Sequence, residues 1–331
     1  MKRRVFVLML AVFVAATVTV SAPAGAGRTW TVLAGPWGPK DYSVVSQDFY
    51  PRTVEIAVGD TVTWRIEGFH GVTFLSGAAP AEPFVREGND TYLNPKNEFP
   101  SGGTTYDGTG YRNSGSPPEF PKPLIYSLTF TKTGTFHYVC LIHGPAMSGT
   151  VIVKKKVTGS PAAALRRGRS ELAASLKAGR AAWAKFRPET KAGTVVIPLI
   201  GNGQAGFSIL RFTPAPLVIK AGTTVTWTMR DPHEIHTVTF LGGEKPPQFI
   251  IPQPQQQGPP KLLINPKVLT PTQVKTYDGM GFVNSGILFP AGSPPDLPKS
   301  FSLTFTKPGR YAYVCVVHIP VEGMVGTIIV K

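Results

Sequence analysis

The sequence predicts an all-β chain: two tandem β-sandwiches joined by a basic helical linker. Three observations carry this. First, segments recur in the same order in both halves of the 331-residue chain. "VGDTVTWRIEGFHGVTFLSG" (58–77) returns as "AGTTVTWTMRDPHEIHTVTFLGG" (221–243), and "LNPKNEF" (93–99) as "INPKVLT" (264–270). "TYDGTGYRNSG" (105–115) returns as "TYDGMGFVNSG" (276–286), and "YSLTFTKTGTFHYVC" (126–140) as "FSLTFTKPGRYAYVC" (301–315). A fixed order of repeats marks a duplicated domain. Second, "TVTWRI", "YSLTFT" and "GTVIVK" alternate apolar or β-branched residues with polar ones, the period of a half-buried strand. Third, 35 Gly and 33 Pro, with Gly-Asp, Lys-Thr-Gly and Lys-Pro-Gly between the runs, supply turns for short antiparallel strands.

Taken in order, residues 1–26 read as a signal peptide. A basic "MKRR" precedes the apolar "VFVLMLAVFVAATVTV", and Ala24-Gly25-Ala26 offers a cleavage site. The apolar run is short of the ~20 residues of a spanning helix. No cysteine follows it to carry a lipid. The expected location is therefore the periplasm, the cell surface or the medium. Residues 27–155 form the first domain and residues 192–331 the second.

Between them, residues 156–191 form the linker. Ser160 is placed to cap a helix and Pro161 to begin it. Leu165, Leu172, Leu176, Trp183 and Phe186 fall near helical spacing, and Pro188 ends the run. The stripe is expected to pack on one sandwich. Residues 156–191 carry nine basic and two acidic side chains, whereas residues 27–155 carry eleven of each. The excess charge on this short segment suits a solvated basic helix or contact with an anionic surface or partner, and not nucleic acid.

Cys140 and Cys315 are the two cysteines, one in each copy of the phrase "YVCLIHGPAM" and "YVCVVHIPVEGM". A disulfide would suit an exported chain. It would explain neither the His three residues on nor the Met beyond it. A second His stands at the same place in both repeats, His70 in "FHGVTF" and His236 in "IHTVTF". The candidate metal ligands are thus His70, Cys140, His143 and Met147, and His236, Cys315, His318 and Met324. Two His and one Cys with a weak axial Met are the donors of copper electron-transfer sites.

With these residues in view, each half resembles a cupredoxin of the plastocyanin and pseudoazurin type. There "GDTVTW…H-x-V-x-F" brings the first His and "Y-x-C-x-x-H…M-x-G-x-V-x-V" the other three ligands. The resemblance implies Greek-key sandwiches, one type 1 copper in each half, and single-electron transfer with redox protein partners outside the cytoplasm. It also implies that His143 and His318 lie near the surface and pass electrons through apolar patches, Gly144-Pro145-Ala146 and Ile319-Pro320-Val321. The spacer from His to Met is three residues in the first half and five in the second, where the family usually has four. The two sites are therefore expected to differ in potential. The long stretches from His70 to Cys140 and from His236 to Cys315 hold the repeated Asn-Pro-Lys, Tyr-Asp-Gly and Asn-Ser-Gly elements, read as structural loops in preference to a lid.

Oxidase or reductase chemistry needs further histidines, typically one just before the ligand Cys. Val139 and Val314 stand there. Of six histidines, four are spoken for; His137 is expected at the surface and His233 in a loop. Copper storage or delivery is the alternative function, though a Met- or His-rich surface cluster is lacking.

Overall fold

The computed structural model describes residues 27–35, 42–118, 122–191 and 193–331. The expected signal peptide, residues 1–26, lies outside the described residues.

The alternation in the sequence becomes alternate burial. Strand Thr61–Ile66 buries Val62, Trp64 and Ile66, and Thr224–Arg230 buries Val225, Trp227 and Met229. In the first half, one sheet runs in the order Phe49–Tyr50, Thr29–Ala34, Thr61–Ile66, Leu124–Phe130, Thr105–Tyr106. The facing sheet runs Arg112–Asn113, Thr73–Phe74, Gly134–Cys140, Gly144–Lys154, Thr53–Ala57. The second half repeats the plan around Thr194–Asn202, Thr224–Arg230 and Ser300–Phe305 on one side and Gly309–Val314 and Val325–Val330 on the other. The protein is all-β, with apolar side chains of two sheets meeting in each half.

The sheets are mixed where the sequence predicts antiparallel ones. Thr29–Ala34 pairs parallel with Thr61–Ile66, and Thr53–Ala57 parallel with Gly144–Lys154. The chain reaches Thr61–Ile66 by way of a strand in the opposite sheet, and such a crossover returns it in its original direction.

Each core is organised on the same ring pair. Trp64 meets Tyr138 edge-on at 5.3 Å between centroids, and Trp227 meets Tyr313 at 5.3 Å. Glycine faces each tyrosine: a Cβ on Gly149 or Gly326 would lie 2.3 Å from its ring.

The halves are tied together at two sheets. Val44–Ser46, from the first half, pairs with Phe207–Ile209 of the second. Hairpin Phe84–Leu93 and hairpin Ile250–Ile264 join through Leu263↔Tyr92 into one four-stranded sheet. Leu93, Ile264 and Ile287 form a small core there, and Phe69 and Ile235, each one residue before a candidate ligand His, pack on it.

The repeated insertion elements hold the strand that follows that His. Asn113 donates its Nδ2 group to the carbonyls of Lys96, Asn97 and Phe99 at 2.9–3.1 Å, and its Oδ1 accepts from Thr73. Asn284 repeats this with Lys267, Val268, Thr270 and Thr239. Ser114 and Ser285 accept the amides of Val72 and Val238. These contacts describe a structural clamp.

Residues Pro161–Lys185 form a 25-residue helix capped by Ser160, whose hydroxyl accepts the Ala163 amide. The sequence predicts that it packs on one sandwich; it lies across both halves. Ala164 joins the first core, while Leu176 packs with Val44, Phe207 and Ile209. Small residues at Ala164, Gly168, Ser175 and Gly179 let its backbone approach closely. No described helix is long and apolar enough to cross a membrane.

Candidate metal centres

His70 follows strand Thr61–Ile66 in a short loop, and Cys140 ends strand Gly134–Cys140. The turn after Cys140 carries His143, and Met147 lies in the strand Gly144–Lys154 that returns beside it. The second half places His236, Cys315, His318 and Met324 in the same way, with one difference. Its longer spacer folds into a helical turn, Ile319–Glu322, ended by Gly323 at φ 64°.

Both sets of donors converge. In each half the Cys Sγ and one nitrogen of each His lie within 4.8 Å of one another, and all six residues are buried. His70 Nδ1 is 2.9 Å from His143 Nδ1, and Cys140 Sγ is 3.4 Å from His143 Nδ1. In the second half Cys315 Sγ is 3.4 Å from His318 Nδ1 and 3.8 Å from His236 Nδ1. Both cysteines are free thiols. Met147 and Met324 are fully buried in the same cores as the cysteines, and Cys315 donates its amide to the Met324 carbonyl. The amide of Gly71 points at Cys140 Sγ at 3.5 Å, and that of Thr237 at Cys315 Sγ at 3.3 Å.

The electrostatics follow from burial and proximity. Burial pushes the Cys140 thiol up, but the His143 imidazolium outweighs it and holds the thiol below its ordinary value. The reciprocal field of Cys140, aided by Glu234, overcomes burial at His143 and lifts it to about 10. Cys315 and His318 show the same opposition more strongly. Burial and the neighbouring His143 push His70 well below its ordinary value. Cys binds metal as thiolate and His as neutral imidazole, so a bound cation takes the place of the proton that each thiolate holds on His143 or His318. Two imidazoles and a thiolate, enclosed and already converged, fit a soft or borderline transition metal such as copper.

The expected surface ports are absent. The rings of His143 and His318 are covered, with side-chain exposures of 3% and 7%. What covers them is Glu234, whose carboxylate lies 3.2 Å from His318 Nε2 and 3.7 Å from His143 Nε2. Gln47 donates to the same carboxylate. Burial favours the neutral acid here, but His318 and His143 hold Glu234 well below the usual carboxylate range. Pro145, Pro320 and Val321 of the expected patches are exposed; the histidine edges behind them are not. Sequence reasoning missed Glu234. Its one signal is that the second half has eight residues between Trp227 and its first His where the first half has five between Trp64 and His70.

The two remaining histidines divide. His137 is exposed and hydrogen-bonded to Thr150. His233 is in a loop but enclosed, with its amide on Asp231 and its Nδ1 3.4 Å from the same carboxylate.

No known protein family and no curated protein matches the chain. Among solved structures, it is similar to an amicyanin mutant in the Cu(I) form, at 22% identity over 43% of this chain and 87% of that one, TM-score 0.25. An oxidized amicyanin mutant matches at 21% identity over 44% and 91%, TM-score 0.24.

Proposed function

We propose that the chain is an exported electron-transfer protein of the cupredoxin type with one type 1 copper site in each half. His70, Cys140, His143 and Met147 supply one ligand set, and His236, Cys315, His318 and Met324 the other. The observation that carries this is the convergence of a buried thiol and two imidazole nitrogens within 4.8 Å, twice. Copper, when bound, supplies one-electron chemistry between Cu(I) and Cu(II). The chain's own part is to hold the donors still and keep water out. The clamps at Asn113 and Asn284 fix the strand after each first His, and the Gly71 and Thr237 amides stabilise charge on the sulfurs.

Electron carriage is favoured over oxidase or reductase activity. Val139 and Val314 occupy the positions that a second catalytic copper would need as His, and neither His137 nor His233 is a member of either converged donor group. The partners are redox proteins outside the cytoplasm. Exposed Arg166, Arg167, Arg169, Lys177 and Arg180 on the long helix suit an anionic partner or surface. The burial of both histidine edges also favours a second reading, in which the chain stores or delivers copper.

The test is copper analysis and visible absorption on residues 27–331, with Cys140→Ser and Cys315→Ser. Two coppers and a strong thiolate band, halved in each variant and surviving repeated reduction and oxidation, support electron transfer. Copper without the band, or copper lost at each cycle, moves storage or delivery to the front.

A further inference from the structure

Glu234 stands in the second half, two residues before His236, yet its side chain serves both halves. One oxygen lies 3.2 Å from His318 Nε2; the other lies 3.7 Å from His143 Nε2 and takes the Gln47 amide. The Nδ1 atoms of the same two rings point the other way, toward the cysteine sulfurs. Each ring is thus held between a thiol on Nδ1 and one shared carboxylate on Nε2.

The backbone aims Glu234 there. Asp231 Oδ1 accepts the amides of His233 and Glu234 and the Ser208 hydroxyl, which fixes the turn. Gly68, at φ 73°, occupies the matching place two residues before His70. A second carboxylate from that side would meet the first as a like charge in a closed space. One acid between the halves is enough for both rings.

We propose that Glu234 is a positioning residue shared by the two metal centres, coupling them into one pair. At His318 it selects the tautomer in which Nε2–H donates to the carboxylate and Nδ1 is free for metal; at His143, 3.7 Å away, the same charge favours the proton on Nε2 and leaves Nδ1 for metal. Its charge lies next to both centres, so it favours the more positive oxidation state at each. A change at one ring is transmitted through the carboxylate to the other. This rests on the two-copper reading above.

The test uses the copper-loaded chain with Glu234→Gln and Glu234→Ala, each placed in Cys140→Ala and Cys315→Ala backgrounds so that one site is read at a time. The reduction potential of the surviving site is measured spectroscopically. Removing the carboxylate is expected to raise both potentials by about 59 mV, a tenfold shift in the Cu(II)/Cu(I) ratio at fixed potential. In reduced protein, the His143 and His318 Nε2–H proton signals should be slow to exchange and should broaden or vanish in Glu234→Ala. Where Glu234→Ala fails to fold, the near-isosteric Glu234→Gln decides by its potentials. A shift at one site alone, or at neither, in protein that keeps its thiolate band overturns the coupling and leaves the copper reading standing. A parent chain without a thiolate band overturns the copper reading and the coupling with it.

Discussion

Gly35 abuts the Cδ2–Nε2 side of the His70 imidazole: a Cβ at this position would sit 2.0 Å from both atoms. Its φ of 57° also belongs to the left-handed region, where a side chain is costly. Gly35→Ala therefore meets both a ring and a strained backbone. His70 must move, and the first centre loses its geometry while the second, on Cys315, is untouched. Under the proposed two-copper function, copper affinity at the first site should fall by roughly 10–100-fold, the range for losing ligand support. Copper titration of Gly35→Ala should give one tight site; two sites of unchanged affinity refute the cradle.

Asn113 and Asn284 each tie three carbonyls of a short helical turn to the strand after a candidate ligand His. Alanine at Asn113 takes the amide donor from the Asn97 and Phe99 carbonyls, and alanine at Asn284 takes it from those of Lys267, Val268 and Thr270; the Lys96 carbonyl keeps the Tyr111 hydroxyl, and the Thr239 hydroxyl keeps Thr237. Each loss is expected to cost about 2–4 kcal/mol in denaturant unfolding, since an unmade buried hydrogen bond costs ~1–3 kcal/mol and more than one is lost. The two variants should behave alike because the networks match. A cost below about 0.5 kcal/mol, the size of an ordinary surface change, would show that water replaces the amide.

Glu98 is buried, 6% exposed, where the second repeat has Leu269. Burial raises its carboxyl from 4.5 to about 7, only partly offset by the Ser116 hydroxyl that donates to it. Between those values the folded chain keeps a proton that the unfolded chain has released. Stability must therefore fall as pH rises from about 4.5 to about 7 and stay lower above that. Glu98→Gln should remove this part of the slope and gain about 1–3 kcal/mol at pH 8 relative to pH 5. Parallel unfolding curves for parent and variant at both pH values would contradict it.

The sequence makes legible whatever is local or repeated. Cys140, His143 and Met147 fall within one turn, and the second copy turns a weak spacing into a strong one. Alternation in "TVTWRI" and "TVTWTM" gives the buried faces, because strand period is a local property. The rest depends on how the halves dock. Glu234 belongs to the second half and His143 to the first, and nothing in the spacing of either foretells their contact at 3.7 Å. The strand Val44–Ser46 reads as part of the first half but completes a sheet of the second, a choice made by packing. The expected port at His143 fails for the same reason, since the carboxylate lying against its ring comes from the other half; at His318 the same Glu234 is supplied by its own half.

The long helix offers a test in which helix propensity and packing oppose one another. Replacing a helical Gly by Ala gains about 1 kcal/mol from propensity alone. At Gly168 the added Cβ would lie 2.6 Å from Pro51 N and 2.7 Å from the Tyr50 carbonyl carbon and oxygen, all backbone. At Gly179 its nearest neighbour, at 2.3 Å, is Val44 Cγ1, a side-chain methyl that can rotate away, and the Phe207 ring lies at 3.1 Å. Backbone gives little, so the helix must lift from the first half in Gly168→Ala, losing contacts along Ala164 and its neighbours. Gly168→Ala should lose about 1–3 kcal/mol despite its better propensity. Gly179→Ala should lie within about 1 kcal/mol of the parent, since the propensity gain offsets a local repacking. Thermal and denaturant unfolding of the two variants side by side decides. If Gly168→Ala is as stable as Gly179→Ala, the helix is not seated on the Tyr50–Pro51 backbone as described, and its small residues serve propensity rather than contact.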